Sequence, residues 1–212
     1  LQKFDVILAN PPYSIKKWNQ KKWEQDPYSR NLYGVPPQSK ADFAFIEHIA
    51  SSLTDNGRAA ILLPHGVLFR DGEESLRKNI LKEDIIESII GLGPDLFYNS
   101  DMESIILVLQ KKKKYERKNK ILFIDAYDQV ERSKNKNHLS NQNIQFISKI
   151  FEDFSTSKGV SNIVTMEEIE KENFSFHIRD FVISKSILKL RKSNLPIKKI
   201  ISDWKKSSQQ LS

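Results

Sequence analysis

Residues 10–13 set an amide, two prolines and a phenol side by side, Asn10-Pro11-Pro12-Tyr13. Two consecutive prolines remove two backbone donors and fix two φ angles. A strand cannot continue its ladder through them, and the carbonyls of Asn10 and Pro11 are left as fixed acceptors. An amide oxygen, a free carbonyl and an aromatic ring so close together suit the holding of a planar, amino-bearing heterocycle. An exocyclic amine is a poor nucleophile because its lone pair is delocalised into the ring. If the Asn10 side-chain oxygen and the Pro11 backbone oxygen each accept one amino hydrogen, the lone pair is freed toward an electrophile and charge developing on nitrogen is stabilised. Tyr13 would then stack on the ring. Asn-Pro and Pro-Pro are also ordinary turn signals, so the tetrapeptide needs a structural context before it means chemistry.

The context is the preceding strand. In FDVILANPPYS (residues 4–14), Val6, Ile7, Leu8 and Ala9 form a short unbroken apolar run. Such a run predicts a strand covered on both faces in a parallel sheet, with the tetrapeptide at its carboxyl end. In this form the stretch resembles motif IV of the amino-methyltransferases that use S-adenosylmethionine, in the Asn-Pro-Pro-aromatic version of the adenine-N6 enzymes. The resemblance continues through DFAFIEHIASSLTDNGRAAILLPHGVLFR (residues 42–70) and EDIIESIIGLGPDLFY (residues 83–98). In order and spacing these pieces resemble the modification (methylase) subunit of type I restriction-modification systems, over roughly residues 1–150. Asp71-Gly72 stands where two glycines are usual, and NSDME (residues 99–103) replaces a smaller turn containing Gly and Pro.

The resemblance implies an α/β fold: the second half of a Rossmann-like, S-adenosylmethionine-dependent methyltransferase sheet with an antiparallel hairpin at its edge. It implies methyl transfer to an adenine flipped out of DNA, with Asn10, Pro11, Pro12 and Tyr13 as catalytic residues and Asn10 also near the cofactor. A methyl group carried on sulfonium needs no strong general base. The implied partners are DNA, a specificity subunit that chooses the sequence, and a restriction subunit that cleaves unmodified DNA. The family's glycine-rich cofactor turn lies upstream of the Asn-Pro-Pro strand. Here nine residues precede Asn10, and the first glycine is Gly34. Gly91 and Gly93 lack a third glycine and do not open a helix, so they read as a turn. The expectation is a fragment, inactive alone, with residues 1–155 as the C-terminal half of a catalytic domain and residues 156–212 as a helical, partner-binding extension.

The elements needed to position the tetrapeptide follow from apolar periodicity. Ser39 with Asp42 predicts a capped helix with Phe43, Ile46, Ala50 and Leu53 on one face, ended by Asn56-Gly57. Strands are expected at 59–63, 85–90, 104–109 and 121–124, with a short helix over 73–81. Those at 85–90 and 104–109 would make the edge hairpin. Ser140 predicts a helix carrying Ile144, Ile147, Phe151 and Phe154, and Thr165 with Glu168 caps another.

Between Tyr13 and Ser39 lies SIKKWNQKKWEQDPYSRNLYGVPPQ, a long stretch with few apolar-periodic positions. Lys16, Lys17, Lys21 and Lys22 are interleaved with Trp18 and Trp23, the composition of a surface that meets phosphates and bases. The alternative is a loop whose tryptophans pack on the domain, and both readings stand open. The net charge of +7 is permissive for nucleic acid. The run at 111–120, KKKKYERKNK, most simply solvates a connection between strands. Residues 183–206 are basic and interrupted by Pro196. They read as helices without a core of their own, and the resemblance implies that they meet the specificity subunit.

The absence of cysteine excludes disulfides and Cys-ligated zinc and fits a reducing cytoplasm. No apolar run reaches the roughly 18 residues that span a bilayer, so no membrane association is expected. His48, His65, His138 and His177 lack metal-binding spacing, and no metal is expected. A different class of function stays open: a DNA-binding or protein-binding scaffold of the same fold without turnover. So does an N-methyltransferase acting on RNA or on protein glutamine.

Overall fold

The structure is a computed structural model and describes residues 1–97, 103–133 and 136–182. Among the described residues six strands form one sheet in the order β1-β2-β4-β3-β5-β6. They are β1 (Phe4–Ala9), β2 (Leu53–Pro64), β3 (Ile86–Leu92), β4 (Ser104–Gln110), β5 (Lys120–Ala126) and β6 (Ser161–Thr165). β1 runs parallel to β2 and β3 parallel to β5. β4 lies antiparallel between β2 and β3, and β6 antiparallel beside β5. The expected β3–β4 hairpin is therefore present, but it is interior. β5 and β6 extend the sheet beyond it because Leu122, Phe123 and Ile124 are fully apolar on both faces and are buried there.

One face of the sheet is covered by α2 (Asp42–Ser51), α3 (Glu74–Lys82) and α5 (Met166–Lys171), which place Phe43, Ile46, Leu76, Ile80 and Ile169 on Ile61, Leu63, Ile89 and Ile105. The other face is covered over β3 and β5 by α4 (Asn141–Asp153), through Ile147 and Ile150. α6 (Ile178–Phe181) closes the first core with Ile178. The remaining helix, α1 (Gln20–Glu24), is a single turn within the long loop. Complete capping boxes are made by Ser140 with Asn143 and by Thr165 with Glu168. The helix with Ile169 is where the cap predicts it, but residues 161–182 are more than a helical extension. β6 pairs with β5, and Phe176, Ile178 and Val182 are in the main core.

Two local expectations are corrected. Ser39 does not cap α2, which begins at Asp42, and the helix stops at Ser51 rather than at Asn56-Gly57. Leu53 to Gly57 join β2, where the buried Leu53 and Gly57 alternate with more exposed residues. Strand β1 is also not covered on both faces. Ile7 and Ala9 pack on the core, whereas Val6 is 52% and Leu8 80% exposed. The reason is position: β1 is the edge strand and has β2 as its one neighbour. No helix among the described residues is long and apolar enough to cross a membrane. The basic segment at 183–206 and most of the 99–103 loop lie outside the described residues.

Candidate active site

The tetrapeptide leaves the sheet directly after Ala9. Asn10 and Pro12 are exposed, and Pro11 and Tyr13 are half-buried. The Asn10 side chain has no partner among the described residues, so its amide oxygen is available as an acceptor. Tyr13 leans back onto the start of β4. Burial raises its phenol above the ordinary value, the nearby Ser104 hydroxyl opposes this, and the Asp42 carboxylate adds to it. Ser104 is 2% exposed and lies opposite Pro64 in the β2–β4 ladder, so the ring is set against the middle of the sheet.

The turn that follows is held from behind. Ser14 sits at φ 52°, in the left-handed region, and its backbone N–H donates to Asp42 Oδ1 at 2.8 Å. The other Asp42 oxygen accepts from Arg70 Nη1 at 2.5 Å, and Arg70 Nη2 donates to Ser14 Oγ at 3.2 Å. Asp42 is 1% exposed. From sequence it was a capping partner on a helix; its actual task is tertiary. Glu73, fully buried beside Arg70 at 3.7 Å, has no hydrogen bond on either oxygen. Burial pushes its carboxyl up to about 7, against the pull of Arg70, with Asp42 raising it and Arg77 and Lys40 lowering it.

The long loop folds onto α2. Trp23 Nε1 donates to Glu47 Oε2 at 2.9 Å, and the Tyr33 N–H donates to Glu47 Oε1 at 2.9 Å. Glu47 is fully buried. Desolvation raises its carboxyl to about 7 in spite of these donors. Arg30 stacks over Trp23 at 4.8 Å, and Trp18 Nε1 donates to the Pro37 carbonyl at 3.3 Å. Trp18 and Trp23 are thus half-buried and give the loop its shape, whereas Lys16, Lys17, Lys21 and Lys22 are exposed. Lys17, Trp18, Lys21 and Gln38 border an open groove of about 500 Å³. Glu47 carries no local sequence signal for this role, because Glu47-His48 on a mostly apolar helix reads as its solvent face.

Further along the same end of the sheet, the rings of His65, Phe69 and His177 meet edge to face at 5.1 to 5.5 Å. Burial lowers His65, with Glu103 opposing. The adjacent cavity among His65, Glu103, Asp125 and Arg179 holds about 20 Å³, room for a single water and not for a nucleobase. Gly91 and Gly93 are no phosphate cradle: an added Cβ would meet Ile178 at 2.7 Å and Val130 at 2.4 Å. No cluster of His, Cys, Asp and Glu suited to a metal occurs among the described residues.

Residues 1–189 match the family model for N-6 DNA methylase. The chain belongs to the N-6 DNA methylase family. It is 32% identical over 211 residues to the type I restriction enzyme MjaVII methylase subunit of Methanocaldococcus jannaschii, covering 95% of this chain and 36% of that protein. It is also 32% identical over 186 residues to the MpnII methylase subunit of Mycoplasma pneumoniae, covering 86% of this chain and 34% of that one. The crystal structure of the type I restriction-modification system methyltransferase subunit from Streptococcus thermophilus superposes with a TM-score of 0.79. The two are 33% identical, and the match covers 85% of this chain and 38% of the other. The chain thus spans a little over a third of the length of the relatives it matches. Together with the mixed sheet, these similarities bear out the α/β methyltransferase fold and the type I methylase resemblance.

Proposed function

We propose that this chain is the base-holding part of a DNA adenine-N6 methyltransferase of the type I restriction-modification kind. The observation that carries the reading is the unpartnered Asn10 amide, exposed at the carboxyl end of a sheet strand with Tyr13 three residues away. The Asn10 oxygen and the Pro11 carbonyl accept the two amino hydrogens of a flipped adenine, which restores nucleophilic character to its nitrogen. Pro12 keeps the backbone from folding back over these acceptors, and Tyr13 offers its ring to the base. The proton leaves the amine after attack, so none of the buried carboxylates has to act as a base.

S-adenosylmethionine is the cofactor that fits this chemistry, since it supplies an electrophilic methyl group when bound. Of the described residues, Asn10 and Pro11 would meet it, and their oxygen acceptors suit a positively charged reacting centre. Flanking phosphates would be met by Lys16, Lys17, Lys21 and Lys22, with Trp18 and Trp23 shaping the loop that presents them. The bare flank of β1 supports a larger assembly. A groove of about 380 Å³ runs along Phe4, Val6 and Leu8 beside His48 and Ile49, and an apolar strand edge of this kind is stable when another strand covers it. A specificity subunit and a restriction subunit complete the proposed complex, the former meeting residues 183–206. The test is Asn10→Ala in the full-length methylase complex. Methyl transfer should fall roughly 100-fold or more with DNA binding retained. Transfer at the wild-type rate would reduce Asn10 to a turn residue.

A further inference from the structure

The contacts behind the tetrapeptide form a continuous chain of charge-assisted bonds that the proposed chemistry does not itself use. Arg77, 3% exposed on α3, donates from Nη1 to the Arg70 carbonyl at 3.0 Å and from Nε to the Phe174 carbonyl at 3.0 Å. Arg70 is thereby fixed at its backbone, and its guanidinium reaches Asp42 and Ser14. The path passes over Gly66: a Cβ there would lie 2.5 Å from Arg70 Nε and 3.0 Å from Nη2. Glycine at 66 thus leaves the guanidinium the space it occupies. Asp42 in turn divides its oxygens, one to the Arg70 guanidinium and one to the backbone N–H of Ser14.

A surface turn needs none of this. Ser14 adopts a positive φ that costs a non-glycine residue on the order of 1 kcal/mol or more. It is kept there by two bonds to charged side chains, of which Asp42 is buried. The residue held this way is the one directly after Tyr13. Freed of these bonds, residue 14 would return to the ordinary φ range and swing Tyr13 away from Ser104. Pro11 and Pro12 are stiff and would carry the displacement back to the Asn10 oxygen.

We infer that Arg70, clamped on Asp42 and Ser14, is a positioning residue that sets the orientation of Asn10 and Tyr13 for methyl transfer. The inference rests on the function proposed above. Arg70 acts through Ser14 and touches neither base nor methyl donor. Its planar fork serves two acceptors at once, which a lysine ammonium at the same place cannot match in geometry.

The experiment uses the full-length methylase complex with DNA and S-adenosylmethionine, and compares Arg70→Lys, Ser14→Ala and the double variant Asp42→Asn/Arg70→Met with Asn10→Ala. The double variant removes both charges of the Asp42–Arg70 pair together, so the buried Asp42 charge is not left without its partner as a single truncation would leave it. Ser14→Ala removes the hydroxyl that Arg70 holds and keeps the cost of a positive φ, without touching the Asp42–Arg70 pair. In each of the three, kcat should fall at least tenfold while KM for the methyl donor and the Kd for DNA stay within about twofold. The fluorescence of 2-aminopurine at the target position should also change as Tyr13 moves. Should Arg70→Lys fail to fold, Ser14→Ala and the double variant decide. Folded variants with unchanged kcat and unchanged fluorescence overturn the positioning role if Asn10→Ala is inactive. If Asn10→Ala is itself fully active, the base-holding reading is what fails.

Discussion

Replacing Glu73 by glutamine should stabilise the protein, and by an amount that depends on pH. Glu73 is fully buried, neither of its oxygens has a hydrogen bond, and its carboxyl titrates at about 7 against an ordinary 4.5. The folded state therefore holds its proton more tightly than the unfolded state does. Stability from the neutral carboxyl is fully present below about 4.5 and is lost as pH rises through about 7. At about 1.4 kcal/mol per pH unit, the gap between 4.5 and 7 amounts to about 3 kcal/mol. Glutamine is neutral throughout and has nearly the same shape. Glu73→Gln should change little at pH 4 and stabilise by about 3 kcal/mol at pH 8, which for a chain of this length raises Tm by about 6 to 12 °C. Thermal denaturation of both proteins between pH 4 and pH 9, followed by circular dichroism, measures the difference. A Tm gain equal at both ends of the range would refute the reasoning, as would a Glu73 carboxyl that titrates near 4.5 by carbon-detected NMR.

Other outcomes follow from the same geometry. Tyr13→Phe and Tyr13→Trp should retain substantial methyl transfer in the full complex and Tyr13→Ala should lose most of it, because stacking contributes roughly 1 to 3 kcal/mol; equal loss in Phe and Ala would transfer the role to the hydroxyl beside Ser104. Lys113→Ala should destabilise by about 3 to 5 kcal/mol in urea denaturation, since it leaves Asp84 and two strand carbonyls without their shared donor; a change under 1 kcal/mol would mean the ammonium is solvated. Residues 1–212 alone should bind S-adenosylmethionine no tighter than about millimolar, or roughly 4 kcal/mol, in a calorimetric titration. Micromolar binding would mean that the chain holds a cofactor site beyond Asn10 and Pro11.

The regular parts of the fold were legible because their signals are local. Apolar runs marked β1, β4 and β5, and the Ser140 and Thr165 boxes marked two helix starts to the residue. What escaped was decided at a distance. Lys113 sits in a run that reads as a solvated connection, yet it is 5% exposed and donates to Asp84 Oδ1 at 2.7 Å and to the carbonyls of Ile86 and Lys120 at 3.0 and 2.6 Å. One lysine among four neighbours carries no mark of its burial. Asp42, Glu47 and Arg70 escaped for the same reason: their partners lie 14 to 56 residues away along the chain. The acceptor residues of the candidate site were readable because two prolines make their meaning local. The side chains that hold them in place were not.

Strand β4 joins two parts of the sheet that share no ladder of their own, β1 with β2 on one side and β3, β5 and β6 on the other. Its amides are bonded to neighbours on both sides, through Pro64↔Ser104 to Arg58↔Gln110 and through Gly91↔Ile105 to Ile86↔Leu109. In native-state hydrogen exchange such amides should open late, with the sheet as a whole, whereas those of β1 and β6, each bonded to one neighbour, should exchange through local fraying. Tyr13 leans on the first residue of that doubly paired strand, and Asn10 stands at the end of an edge strand. The four residues proposed to grip a base thus bridge an edge strand and a doubly paired one, which leaves the amide end freer to adjust than the aromatic end.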